Sequence, residues 1–193
     1  MEARALLDAL RVAEKLKDAT RHCYTSGGRH ESVAEHSWRL ALMACWLRDD
    51  FPEADMDKVI RMCLIHDLGE AFTGDIPTFI KTDADRAVED NLLDAWVASL
   101  PAPFCEEMRA LYREMNERKT LEARIFKALD GLEALIQHNE SDISTWSENE
   151  YDLNLRYCDD RVGFSPALSA LREAIRADTL VKIAAEEAAK GEN

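Results

Sequence analysis

Two histidines and two aspartates, His36, His66, Asp67 and Asp130, sit inside otherwise apolar helical patterns. An ionisable group on a core-facing stripe is costly unless something pairs with it. A divalent cation held by imidazole and carboxylate together would satisfy all of these groups at once, and such a mixed donor set suits manganese, cobalt, iron or zinc without choosing among them. The chain therefore reads first as the carrier of one divalent-metal site.

Each donor can be set against the period of its own segment. After Ser32, the apolar residues Val33, Leu40, Met43 and Leu47 recur at helical spacing, and His36 falls within their stripe. Val59, Met62, Cys63 and Leu64 lead directly into Ile65-His66-Asp67, which carries the pair from a buried face to a helix end. Asp130 lies among Ile125, Phe126, Leu129, Leu132 and Ile136 on a third segment. A single buried His or Asp is more often a hydrogen-bonded core or cap residue. Coincidence on separate helices is harder to explain that way. His22 and His30 lie in a polar, glycine-containing stretch, and His138 is about 12 Å along its helix from Asp130, so none of these is an expected ligand.

Chemistry beyond the metal points to Glu70, one helical turn after His66, as a general acid or base rather than a solvated surface glutamate. Gly69 supports that reading, because a glycine inside a helix costs roughly 1 kcal/mol against alanine and marks close approach of a ligand or another backbone. The turn Thr73-Gly74-Asp75-Ile76-Pro77 brings Asp75 within reach of the same helix end, either to position water or substrate or to form an Asx turn. Arg21 and Arg29, in a donor-rich stretch before His36, are candidates for bidentate phosphate contacts, although a surface arginine is the commoner case.

The elements that must position these groups read as all-α. Helices are expected at 2–18, 32–49, 55–71, 84–99, 103–117, 120–140, 147–158 and 165–190, with no strand pattern between them. Ser32 to Glu35 has the capping-box spacing, Asp55 and Thr120 are plausible N-caps, Pro166 follows Ser165 at a first helical position, and Gly74 ends the third helix. No linker divides the 193 residues, so a single domain is expected, with a metal-site core at about 10–140 and C-terminal helices at about 147–190.

A formal net charge of −14 argues against a nucleic-acid polymer as partner, whereas a small phosphorylated substrate needs only local cations and the metal. No apolar run is long enough to span a bilayer, and Met1-Glu2-Ala3-Arg4 opens directly onto an amphipathic pattern, so no membrane and a cytoplasmic location are expected. The five cysteines are widely spaced without a C-x-x-C, which suggests neither a disulfide framework nor a thiolate zinc site; Cys45 and Cys63 are expected in the core. Leu168, Leu171, Ile175, Leu180 and Ile183 form a late amphipathic face that either packs on the domain itself or contributes to a homodimer.

The set His36, His66-Asp67 and Asp130 resembles the H…HD…D signature of the HD-domain metal-dependent phosphohydrolases, an all-helical superfamily. The strings Glu31-Ser-Val-Ala-Glu-His36-Ser and His66-Asp-Leu-Gly-Glu70-Ala-Phe-Thr-Gly-Asp75-Ile-Pro77 resemble its 5'-deoxynucleotidase (YfbR-like) branch over roughly residues 10–140. The resemblance implies hydrolysis of a 2'-deoxynucleoside 5'-monophosphate with one divalent metal. His36, His66, Asp67 and Asp130 would be the ligands, Glu70 and Asp75 the catalytic carboxylates, and Arg21 a phosphate or sugar contact. His22 stands where that branch has a tryptophan beside the arginine, which makes it a substrate-binding position bearing on sugar selectivity. Ala71 departs from the second acid of the stringent-response hydrolases, and no Gly-Tyr-Pro extension marks a cyclic-dinucleotide phosphodiesterase. A small deoxynucleoside triphosphate hydrolase and a non-catalytic, metal-stabilised nucleotide-binding module stay open as alternatives.

Overall fold

The strongest start signal in the chain opens α2 (Val33–Trp46). Ser32 Oγ accepts from the Glu35 backbone N–H at 3.2 Å while Glu35 Oε2 accepts from the Ser32 backbone N–H at 2.9 Å, so two orphan donors are satisfied reciprocally. Val33, His36, Ser37, Leu40, Ala41 and Ala44 then fall on one buried face. The computed structural model describes residues 2–191. Among them the remaining helices are α1 (Ala3–Glu14), α3 (Met56–Ile65), α4 (Glu70–Thr73), α5 (Asp83–Ser99), α6 (Phe104–Glu117), α7 (Leu121–Glu140), α8 (Glu148–Arg156), α9 (Asp159–Val162) and α10 (Pro166–Gly191). The expected caps are present: Asp55 accepts from the Lys58 N–H at 3.0 Å, Thr120 from that of Ala123 at 3.3 Å, and Ser165 from that of Leu168 at 3.3 Å.

The all-α expectation holds with one addition and one break. The addition is a two-stranded sheet of β1 (Thr20–Tyr24) and β2 (His30–Ser32). Strands this short show no period of two in the sequence. Their loop is closed by Thr25 N–H donating to Arg29 O at 2.7 Å, with Gly28 at a φ of 82° that suits glycine. The break divides the expected third helix. Beyond Ile65 the bonds run from each N–H to the carbonyl three residues back: Leu68 to Ile65 at 3.1 Å, Glu70 to Asp67 at 3.0 Å, Ala71 to Leu68 at 3.2 Å. The backbone stays right-handed at His66 and Gly69, so the apolar pattern runs on and hides the change. Gly74, at a φ of 75°, then ends α4.

The chain divides into two compact units. The first comprises the residues up to His22 together with Glu31–Phe126. Its core includes Leu16, Val33, Leu68, Leu93 and Val97, against which Ile65, Trp96, Met108 and Tyr112 pack. α2 lies along α3, burying Leu40, Ala44, Val59, Met62 and Cys63. Cys45 departs from the expected core placement and is exposed, since it lies off the buried face of α2.

The second unit comprises Cys23–His30 and the residues from Lys127 onward. Leu129, Leu132 and Leu135 of α7 and Leu168 and Ile175 of α10 are buried in it, while Leu180 and Val181 are exposed. Arg172, buried on α10, donates to Tyr157 O at 2.9 Å and Asn154 O at 3.1 Å and pairs with Asp159 at 3.0 Å. A Cβ on Gly131 would lie 2.0 Å from Cys158 Sγ, so the bare backbone is what admits that thiol.

Candidate metal centre

His36 comes from the middle of α2, His66 from the residue that closes α3, and Asp67 from the tight turn that follows. His66 Nε2 lies 2.9 Å from Asp67 Oδ2, and His36 Nε2 lies 3.9 Å from the same oxygen. The ligand atoms of the three residues all fall within 4.8 Å of one another. With metal–ligand bonds of about 2.0–2.2 Å, neighbouring donors to one ion sit roughly 3 Å apart, so modest adjustment lets one cation bridge this group.

The protonation of His66 also fits. Its Nδ1 lies 2.9 Å from Cys63 O, and a carbonyl only accepts, so Nδ1 carries a hydrogen, and in the neutral ring that leaves the Nε2 lone pair for an ion. Just upstream, the Tyr112 hydroxyl on α6 donates to Ile65 O at 2.6 Å and thereby satisfies a carbonyl at the end of α3. Burial, with Asp67 nearby, holds that hydroxyl well above its ordinary pKa.

Acids and one guanidinium surround the donors. Arg21 Nε lies 3.2 Å from Glu31 Oε2, and its Nη1 lies 3.9 Å from Asp67 Oδ2. Glu70 is buried, and its Oε2 has no hydrogen-bond partner among the described residues. Burial first, then the charges of Asp67 and Asp75, push its carboxyl up to about 9 against the opposing pull of Arg21. Burial raises Asp75 in the same direction, again opposed by Arg21. A carboxyl that keeps its proton at neutral pH beside an imidazole and carboxylate donor set is suited to proton donation.

The other expected residues are placed as follows. Asp130 lies on α7 in the second unit, where it accepts from Lys127 Nζ at 2.7 Å. Arg29 is exposed in the β1–β2 loop and donates to His30 O at 3.1 Å. His22 on β1 meets Phe79, with ring centroids 5.5 Å apart. His138 is buried in the second unit, 3.5 Å from Glu150 Oε1 and edge-on to Trp146. Gly69 departs from the expected reason for its presence. A Cβ there would come within 2.8 Å of Glu89 Cγ, so an acidic side chain of α5 fills the space assigned to a ligand or another backbone.

Sequence reasoning missed Glu31, Tyr112 and Glu89 as neighbours of the site. Glu31 precedes the capping box directly, and its partner Arg21 becomes visible only once β1 and β2 are paired. Tyr112 and Glu89 carried no local signal, because each reaches its partner from a distant helix. A cleft of about 420 Å³ is lined by Asp94, Arg109, Tyr112, Arg113, Asn116 and Glu117. None of the metal donors lines it.

Against known proteins, a family model described as an HD domain matches residues 13–172, and the chain belongs to that family. Human 5'-deoxynucleotidase HDDC2 is 32% identical over 142 residues, which are 72% of this chain and 69% of that protein. The Dictyostelium discoideum protein of the same name is 31% identical, over 69% of this chain and 76% of its own length. Among solved structures, a predicted metal-dependent phosphohydrolase from Magnetospirillum magnetotacticum superposes with a TM-score of 0.77 at 28% identity, covering 93% of this chain and 95% of that one.

Proposed function

We propose that the protein is a metal-dependent phosphoric monoester hydrolase that converts 2'-deoxynucleoside 5'-monophosphates to deoxynucleoside and phosphate. The observation that carries the reading is the His36, His66 and Asp67 donor group with the buried Glu70 carboxyl close to Asp67. The names of the similar HDDC2 proteins support the substrate class. Asp130 is assigned as the fourth ligand by its place in the family signature.

A divalent manganese, cobalt, iron or zinc ion held by these residues supplies Lewis acidity at a phosphoryl oxygen and makes water a nucleophile near neutral pH. The chain's own residues do the rest. Arg21, kept near Asp67 by Glu31, offers a guanidinium to the phosphate, with Arg29 a further cationic candidate. Water adds to phosphorus, the bond from phosphorus to the 5' oxygen breaks, the Glu70 proton goes to the departing oxygen, and the proton released by the water restores Glu70. Asp75 shares the field of Glu70 and orients water or substrate. His22 takes the sugar-facing position.

Among the described residues no helix is long and apolar enough to cross a membrane. A cytoplasmic location is assigned on the substrate class, and a homodimer on the exposed Leu180 and Val181 of α10. The deciding experiment measures inorganic phosphate and triphosphate released from deoxynucleoside mono- and triphosphates, ribonucleotides and bis-esters, after chelation and readdition of each metal. Metal-dependent release from deoxynucleoside monophosphates is expected. Release of triphosphate from deoxynucleoside triphosphates would favour the alternative hydrolase, and no release from any substrate would overturn the enzyme reading.

A further inference from the structure

The segment between Gly74 and α5 places two large apolar side chains in solvent four and five residues after Asp75. Phe79 is 50% exposed and Ile80 is 61% exposed. They are held in a defined turn: the Ile80 and Lys81 N–H groups donate to Pro77 O at 2.9 and 3.0 Å. Both ends of the segment are fixed as well. Gly74 N–H donates to Glu70 O at 2.8 Å, and Lys81 Nζ pairs with Glu89 Oε2 at 2.6 Å. Two adjacent exposed apolar side chains on an anchored segment, a few residues from Asp75, form a contiguous surface that a ligand can cover.

The neighbouring groups say what that something is. Phe79 meets His22 with ring planes at 89°. In a perpendicular pair only one ring presents a face to the other, so at least one face of Phe79 is left uncovered by His22. His22 and Arg21, both on β1, each lie close enough to Asp75 to act on its carboxyl, and Arg21 Nη1 is 3.9 Å from Asp67 Oδ2. An aromatic face therefore adjoins the cationic and metal-binding groups suited to a phosphate. A flat, π-rich group joined to a phosphate through a short polar spacer is the ligand chemistry that matches both.

We propose that Phe79, buttressed by His22 and extended by Ile80, is the platform on which the site stacks the nucleobase of its substrate. The inference rests on the nucleotide phosphohydrolase reading above and adds to it the base-recognition element. Because every base has a π-face, such a platform favours base-bearing substrates over base-free sugar phosphates while discriminating weakly among bases.

The test compares dAMP with 2-deoxyribose 5-phosphate, which keeps the sugar and phosphate but lacks the base. Wild type should prefer dAMP, chiefly through KM. Phe79→Ala should shrink that preference by roughly five- to a hundredfold, the range expected for loss of one base stack. Phe79→Trp should keep it, and its added indole emission should be quenched by dAMP more than by 2-deoxyribose 5-phosphate in metal-depleted protein. A Phe79→Ala enzyme with an unchanged preference overturns the platform and leaves the hydrolase reading standing. Wild type that releases phosphate from neither compound under any metal defeats the hydrolase reading, and the platform with it.

Discussion

The two units bury polar groups in opposite ways. In the second, the Arg172 cation is met by Asp159 and two backbone carbonyls, Asn139 donates to Ile175 O at 2.9 Å, and Thr179 donates to Asn139 Oδ1 at 3.0 Å. Most of these bonds close on the unit's own backbone, although the Asn154 side-chain amide and Arg172 Nη1 have no hydrogen-bond partner among the described residues. In the first unit, burial and the charge of Asp67 raise the proton affinity of Glu70 and of Asp75, with Arg21 opposing. Networks closed on backbone specify a fold, whereas a cluster of like charges lowers stability and persists where a cation or proton is to be handled.

The sharpest way to break this contrast is to remove donors. His36→Ala, His66→Ala, Asp67→Ala or Asp130→Ala should each lower metal content and activity more than about a hundredfold, since even residues that only orient ligands are worth 10–100-fold. Metal analysis of the purified variants checks this, with His138→Ala as the control that keeps its metal. Full metal occupancy in any of the four would remove that residue from the ligand set.

Next in size, Glu70→Gln should keep the metal and the fold but lose about a hundred- to ten-thousandfold in kcat, the usual worth of proton transfer. Steady-state kinetics with matched metal content decides it. Arg172→Met sharpens the other side of the comparison. It leaves the Tyr157 and Asn154 carbonyls without that donor and should cost roughly 2–4 kcal/mol in urea unfolding, with kcat per folded molecule retained. Equal stability to wild type would mean that the second unit does not depend on its closed network.

The last effect is a pH slope. The Glu70 carboxyl has its pKa raised from 4.5 to about 9 in the folded protein. Between those values the unfolded chain has released a proton that the native state retains, so native stability falls as pH rises. Metal-depleted wild type should therefore lose stability between about pH 5 and pH 8 relative to Glu70→Gln, and a saturating divalent cation should reduce the difference by supplying the opposing charge. Parallel melting curves for the two proteins across that range would show that the raised proton affinity does not reside in Glu70.

What could be read ahead of the structure depended on the range of each signal. The box at Ser32, the cap at Asp55 and the apolar stripe around His36 are local, and all appear as expected. So does the burial of His36, because helical phase carries inward direction. The hairpin was invisible because its stability lies in cross-strand pairing between polar segments. The break after Ile65 was hidden because tight and ordinary helical turns tolerate the same apolar residues. Gly69 signalled a close approach correctly but could not name Glu89, which arrives from another helix.

That tight turn constrains the chain in a currency other than residue identity. Wound at three residues per turn, each residue added or removed between Cys63 and Glu70 would rotate everything beyond it by about 120°. A single deletion there would swing Asp67 and Glu70 away from His36, however conservative the surviving side chains, while the carbonyl that sets the His66 tautomer would face a different residue. The irregular stretch after Gly74 has no such phase to keep until α5 begins. Insertions and deletions should therefore be absent from the first segment in functional variants and, in the second, confined to sites that leave Asp75, the Pro77–Lys81 turn carrying Phe79 and the Lys81 anchor in place.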